Sequence, residues 1–159
     1  EIGEKNTLSL RWYDQPQNAA SIDQMRKNMH TFMSRQDKNM PDGKMWTCYA
    51  KHKQKLYGDR NRYSTSCVPI NARATNKFRE CGRLAYMVGR YSNPFTKRFF
   101  EKMGFNIDQN KIALSEMLQW IWRSRIRDNK EIVVYIPSKR MRNLLKGWIE
   151  DVSKGGDAE

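Results

Sequence analysis

Apolar residues recur along this chain in two periods, and the switches between them mark its elements. The run Thr7-Leu8-Ser9-Leu10-Arg11-Trp12-Tyr13 alternates and predicts a strand, broken by Asp14-Gln15-Pro16. Ile22, Met25, Met29, Phe32 and Met33 then fall at helical spacing, with Ser21 as the candidate cap. A loop is expected from Asp37 to Gly43, and a helix with a thin apolar face from Trp46 to Leu56. Tyr63 to Ile70 is rich in strand-favouring residues, and Pro69 should end it. Arg83 to Tyr91 reads as helical. Asn93-Pro94 starts a further helix, which Phe95, Phe99 and Phe100 should bury and Gly104 should stop.

The longest helical pattern runs from Lys111 to Arg127, and Glu131 to Ile136 is a strand candidate. Pro137-Ser138 opens a last helix with the apolar stripe Met141, Leu144, Leu145, Trp148, Ile149 and Val152, before a tail at residues 155–159 that should fray. Helices alternating with a few strands predict an α/β fold, helix-rich, with a small, mostly parallel sheet flanked by helices. The length of 159 residues suits a single domain over residues 1–159, with residues 1–20 as a strand and linker.

Charge adds a partner class to this outline. There are 30 Lys and Arg against 17 Asp and Glu, a net charge of +13. The excess is clustered: Arg26 to Arg62, Asn71 to Lys102 and Arg123 to Lys146 are each strongly basic, whereas Gly147 to Glu159 turns acidic. Basic clusters attract polyanions, and DNA or RNA is the expected partner; solvated surfaces are the alternative reading. With no long apolar span and no signal peptide, no membrane partner is expected, and a bacterial cytoplasm is the expected location. The three cysteines suit buried thiols in a reducing compartment. Cys48, His52, Cys67 and Cys81 lack paired zinc-ligand spacing, so no metal site is expected.

Three stretches carry candidate chemistry. On a wheel of about 3.6 residues per turn, Leu114, Met117, Leu118 and Ile121 fall on one side of the Lys111–Arg127 helix and Glu116, Gln119, Arg123 and Arg127 on the other. Paired arginines can clamp a phosphate, because each guanidinium presents forked donors to an oxyanion; a solvent-facing stripe is the alternative. Trp120 and Trp122 flank the apolar stripe and suit packing against a sheet more than stacking on bases. The second stretch is Asn71-Ala72-Arg73-Ala74-Thr75-Asn76. It follows a predicted strand, where α/β sheets bind ligands, and Asn71, Arg73, Thr75 and Asn76 suit contact with phosphate or sugar; a polar turn is the alternative. In the third, Lys139, Arg140 and Arg142 reinforce the N-terminus of the last helix as an anion site, or form its solvated face. His30 and His52, 22 positions apart, give no metal pair or catalytic dyad.

Together, Asn71–Asn76, the run Ala113 to Ser124 and the run Tyr135 to Arg142 resemble blocks of the superfamily 2, DEAD/DEAH-type helicase-like proteins of bacteriophages and mobile elements. The likeness is to their C-terminal, RecA-like lobe, over roughly Trp46 to Trp148. It implies that Gln119 contacts nucleotide, that Arg123 and Arg127 act catalytically as arginine fingers, and that Asn71–Asn76 couples nucleic acid to ATP. Ser124 and Arg125 stand where that family carries glycines, and the chain has no Gly-x-x-x-x-Gly-Lys-Ser/Thr loop. The resemblance therefore implies a nucleic-acid-binding domain that is not a complete ATPase alone. ATP and Mg would enter only where a partner, such as an N-terminal helicase lobe or another protein, completes the site. The alternative is a non-enzymatic basic phage or mobile-element protein that binds nucleic acid or inhibits a host nucleoprotein machine.

Overall fold

Four consecutive residues, Arg83–Tyr86, are all buried, and they form the central strand β2 of a three-stranded sheet. Its neighbours are β1 (Lys44–Thr47) and β3 (Val133–Tyr135), in the order β1-β2-β3, and both pairings are parallel. The structure, a computed structural model, describes residues 7–35, 40–57, 62–72 and 76–155.

Parallel strands need cover on both faces, and here two helical layers supply it. On one face Leu84, Tyr86 and Val88 pack with Met117, Trp120 and Ile121 of α5 (Gln109–Ile121) and with Met141 of α6 (Lys139–Gly155). On the other, Ala85 and Met87 pack with Met25, Met29 and Met33 of α2 (Ala19–Ser34) and Leu56 of α3 (Lys53–Tyr57). A short helix α1 (Leu10–Asp14) completes that layer: the buried Tyr13 hydroxyl donates to Met87 O at 2.8 Å. Arg83 is also buried, and its guanidinium donates to Met33 O at 3.0 Å and Arg35 O at 2.8 Å. It thereby satisfies carbonyls at the end of α2 and ties that helix to the sheet. At the end of β2, the Gly89 N–H donates to Leu8 O at 2.8 Å, and a Cβ at Gly89 would lie 2.3 Å from Thr7 O. Only glycine permits so close an approach of the first segment.

The fold class is the expected one, but several elements differ. Residues 7–13 are not a strand; Ser9 caps α1 by accepting from Trp12 N at 3.1 Å, and the buried pair is Leu8 and Tyr13 rather than an alternating set. Helix α2 begins at Ala19 after Asn18, so Ser21 is not its cap. Both Trp46–Leu56 and Arg83–Tyr91 begin as strands. Burial on both faces removes their period, and they resemble buried helix segments. After β1 the chain makes a 3-10 turn at Ala50–His52 and then α3. Tyr63–Ile70 forms a 3-10 turn and then one parallel bridge between Cys67 and Trp46.

Helix α4 (Pro94–Lys102) has the expected start, with Asn93 accepting from Phe95 N, and stops at Gly104, whose φ is +83°. Its phenylalanines are not buried, however: Phe95 is 81% exposed and Phe99 60%. Helix α5 ends at Ile121, short of Arg127; a 3-10 turn, Arg125–Asp128, follows. Trp120 is buried as expected, whereas Trp122 is half exposed. Part of the expected loop, residues 36–39, and the tail at 156–159 lie outside the described residues.

Two expected outcomes follow. Trp120 is fully buried, meets Tyr86 edge-on at 5.5 Å between ring centres and donates to Val68 O, so Trp120→Ala should cost about 3–5 kcal/mol in urea denaturation. His30 and His52 are both held below the ordinary imidazole range, chiefly by burial. The unfolded chain therefore takes up these protons first. Stability should be full above about pH 6.5 and decline as the pH falls below it, and His30→Gln with His52→Gln should flatten that decline in pH-dependent melting.

Candidate functional site

Because the strands are parallel, their carboxyl ends share one edge of the sheet. The chain leaves β1 for the Cys67 bridge, through Val68 N donating to Trp46 O at 2.8 Å, and later returns to β2 on the opposite side of β1. Reversals of this kind open crevices at strand ends in α/β folds. Here a cleft of about 610 Å³ lies at that edge. Its walls come from three separate segments: Tyr49 after β1, Asn71 and Ala72 after the bridge, and Arg90 after β2. Glu116, Gln119 and Arg123 close it from α5 and the turn beyond.

Among the described residues, the ionic side chains of the cleft are Lys53, Arg90 and Arg123 against Glu116. Arg90 and Glu116 form a two-pronged pair, one contact being Nη2 to Oε1 at 2.6 Å, and that bond holds the Arg90 charge more firmly than usual. Arg123 is different. Its guanidinium donates to Gln119 O at 2.8 Å and to Ala72 O, and among the described residues no carboxylate pairs with it. Burial accordingly lowers its pKa. A half-buried cation fixed by carbonyls and facing a cleft suits an anion with forked acceptors. Thr47 and Tyr86 are register partners on β1 and β2, and their buried hydroxyls have no hydrogen-bond partner among the described residues. The Cys48 thiol, on the cleft wall, donates to Tyr49 O at 3.4 Å, and its neighbour Cys67 pushes its pKa up while Cys48 lowers that of Cys67.

The structure brings some of the expected site residues together and separates others. Gln119, Arg123 and Asn71 meet in the cleft. Arg127 lies on the following turn, where Nη2 donates to Asn76 Oδ1 at 2.8 Å. The neighbouring Arg79–Asp128 pair, with contacts of 2.7 and 2.6 Å, holds that turn. The Asn71–Asn76 block thus touches the arginine block at both ends; Arg73 and Thr75 lie outside the described residues. At the start of α6, Lys139 is exposed. Arg140 instead donates to Arg90 O at 2.5 Å and Asn110 Oδ1 at 2.8 Å, and Arg142 to Ile136 O at 2.7 Å. Arg90, Tyr49 and Lys53 were not expected; the signal for Arg90 was its place directly after the apolar run Leu84 to Gly89.

The description "YonV C-terminal Rossmann-like domain" matches residues 1–149. The chain belongs to this family. It is 35% identical over 144 residues to the SPbeta prophage-derived uncharacterized protein YonV of Bacillus subtilis strain 168, an alignment covering 91% of this chain and 34% of that protein. The chain therefore spans about a third of the length of its curated relative. No solved structure matches it. The three-stranded parallel sheet between helical layers agrees with a Rossmann-like domain, and the relative's prophage origin agrees with the expected phage kinship. Among the described residues, no helix is long and apolar enough to cross a membrane.

Proposed function

We propose that the chain is a nucleic-acid-binding domain whose strand-end cleft receives the phosphates of a nucleotide, in the manner of the second lobe of a helicase. The observation that carries this reading is Arg123, held by two backbone carbonyls in the cleft with no carboxylate among the described residues to neutralise it. Gln119, one turn earlier, also lines the cleft and would meet the rest of the nucleotide. Arg123 would supply positive charge as negative charge develops on the transferred phosphoryl group. ATP and Mg belong to this reading only with a second lobe or chain that cradles the phosphates, and the domain alone would turn over ATP weakly or not at all. DNA or RNA is the polyanion that the net charge of +13 favours, in the cytoplasm of a bacterial host.

A second reading, a basic phage protein that binds nucleic acid or a host nucleoprotein machine without turnover, is favoured by Arg127. That residue bonds to Asn76 instead of lining the cleft.

Titration calorimetry with MgATP separates the two. Under the leading reading Arg123→Ala weakens binding by roughly tenfold or more, the loss of charge-assisted hydrogen bonds, and Glu116→Gln, which removes the cleft's carboxylate, does not weaken it. In the presence of a Walker-bearing partner lobe, Arg123→Ala should abolish turnover while sparing most nucleic-acid affinity. Equal MgATP affinity in wild type and Arg123→Ala would remove the nucleotide role from this cleft.

A further inference from the structure

A second groove, of about 930 Å³, runs beside the cleft and shares Tyr49 and Arg90 with it. One wall is α1, with Arg11 and Trp12. The other is the start of α4, with Phe95 and Lys97, and Tyr91 joins them just past the end of β2. Four aromatic rings and three cations line this groove, and no Asp or Glu does so among the described residues.

Phe95 is the exposed ring of the four, whereas Trp12, Tyr49 and Tyr91 are half-buried and present only part of their surface to the groove. Phe95 is 81% exposed, and the exposed apolar surface continues along α4 and beyond it through Phe99 at 60% and Phe105 at 59%. Tyr91 is held in place by Arg140, whose guanidinium lies 4.7 Å from the ring centre. The cations differ in how far they are neutralised. Arg90 is paired with Glu116 and Lys97 lies 3.5 Å from Glu101, whereas Arg11 has no ion pair among the described residues. From Arg90 to Lys102 there are four basic residues and one acid.

An exposed aromatic row invites a partner, and the local charge decides which kind. A groove that combines flat rings with a net positive lining suits a ligand that alternates apolar faces with anions, which describes the bases and phosphates of a single strand. A duplex keeps its base faces stacked on one another, where side-chain rings cannot reach them.

We propose that the groove between α1 and α4 binds single-stranded nucleic acid, with Phe95, Trp12 and Tyr91 stacking on bases and Arg11 and Lys97 meeting phosphates. This rests on the reading of the chain as a nucleic-acid-binding domain, and adds to it the form of the ligand and the surface that takes it. The strand would lie next to the nucleotide cleft, with Arg90 and Tyr49 as the shared wall.

The test is fluorescence anisotropy of the chain with fluorescein-labelled oligo(dT), oligo(rU) and a duplex of equal length, across a salt series. The single strands should bind more tightly than the duplex. Phe95→Ala should weaken single-strand binding by roughly tenfold without changing the salt slope, and Phe95→Tyr should restore it. Arg11→Ala should flatten the slope of log K against log salt by about 0.7, the share of one phosphate contact on a single strand. Both positions are exposed, so folding is preserved, and MgATP binding in the cleft should be the same in each variant. Preference for the duplex, or single-strand affinity unchanged in both Phe95→Ala and Arg11→Ala, would overturn the groove and leave the cleft reading standing. No binding of any oligonucleotide at low salt would overturn the groove together with the nucleic-acid reading.

Discussion

The structure depends on burying one short strand on both faces. The four residues of β2 are inaccessible to water, and the two hydrophobic clusters of the domain meet across them. A sheet of three parallel strands leaves no face that water can solvate, so α2 and α3 must close one side and α5 and α6 the other. Arg83 shows how tightly this is drawn. A charged side chain at the head of the central strand is tolerated because its guanidinium satisfies carbonyls at the end of α2.

The same constraint generates the functional edge. With every strand parallel, all three carboxyl ends open in one direction, and the reversal between the Cys67 bridge and β2 leaves a crevice there. Gly89 lets the first segment of the chain close against the end of β2, which brings α1 alongside the start of α4. Two adjoining spaces result. One is lined by a carbonyl-held arginine and an arginine–glutamate pair, the other by aromatic rings and cations, and the ligands proposed for them are phosphates in the first and a single strand in the second.

The parts of this account that could be read from the chain are those where a local signal was strong. Asn93-Pro94 and Gly104 marked the limits of α4, the methionine spacing marked α2, and Pro137-Ser138 marked the start of α6. Strands β1 and β2 could not be read, because burial on both faces leaves an apolar run without a period. The α4 phenylalanines misled for a related reason: their spacing is that of a core helix, and only the tertiary structure shows that they stay exposed. In the site, Gln119, Arg123 and Asn71 were identified as separate blocks, and the fold supplies their meeting through the bond from Arg123 to Ala72. Arg127 was grouped with them on the assumption of one continuous helix, which the turn after Ile121 breaks. The second groove left no trace in the sequence, since its residues come from four separate segments.

The central claim is that the strand-end cleft receives phosphates. Its most direct test is a nitrogen–proton NMR titration of the chain with a nucleoside triphosphate and Mg. The account predicts that shift changes cluster at Tyr49 and Ala50, Asn71 and Ala72, Gly89 and Arg90, and Gln119 to Ser124. Changes confined to other surfaces, or none at saturating ligand, would contradict it.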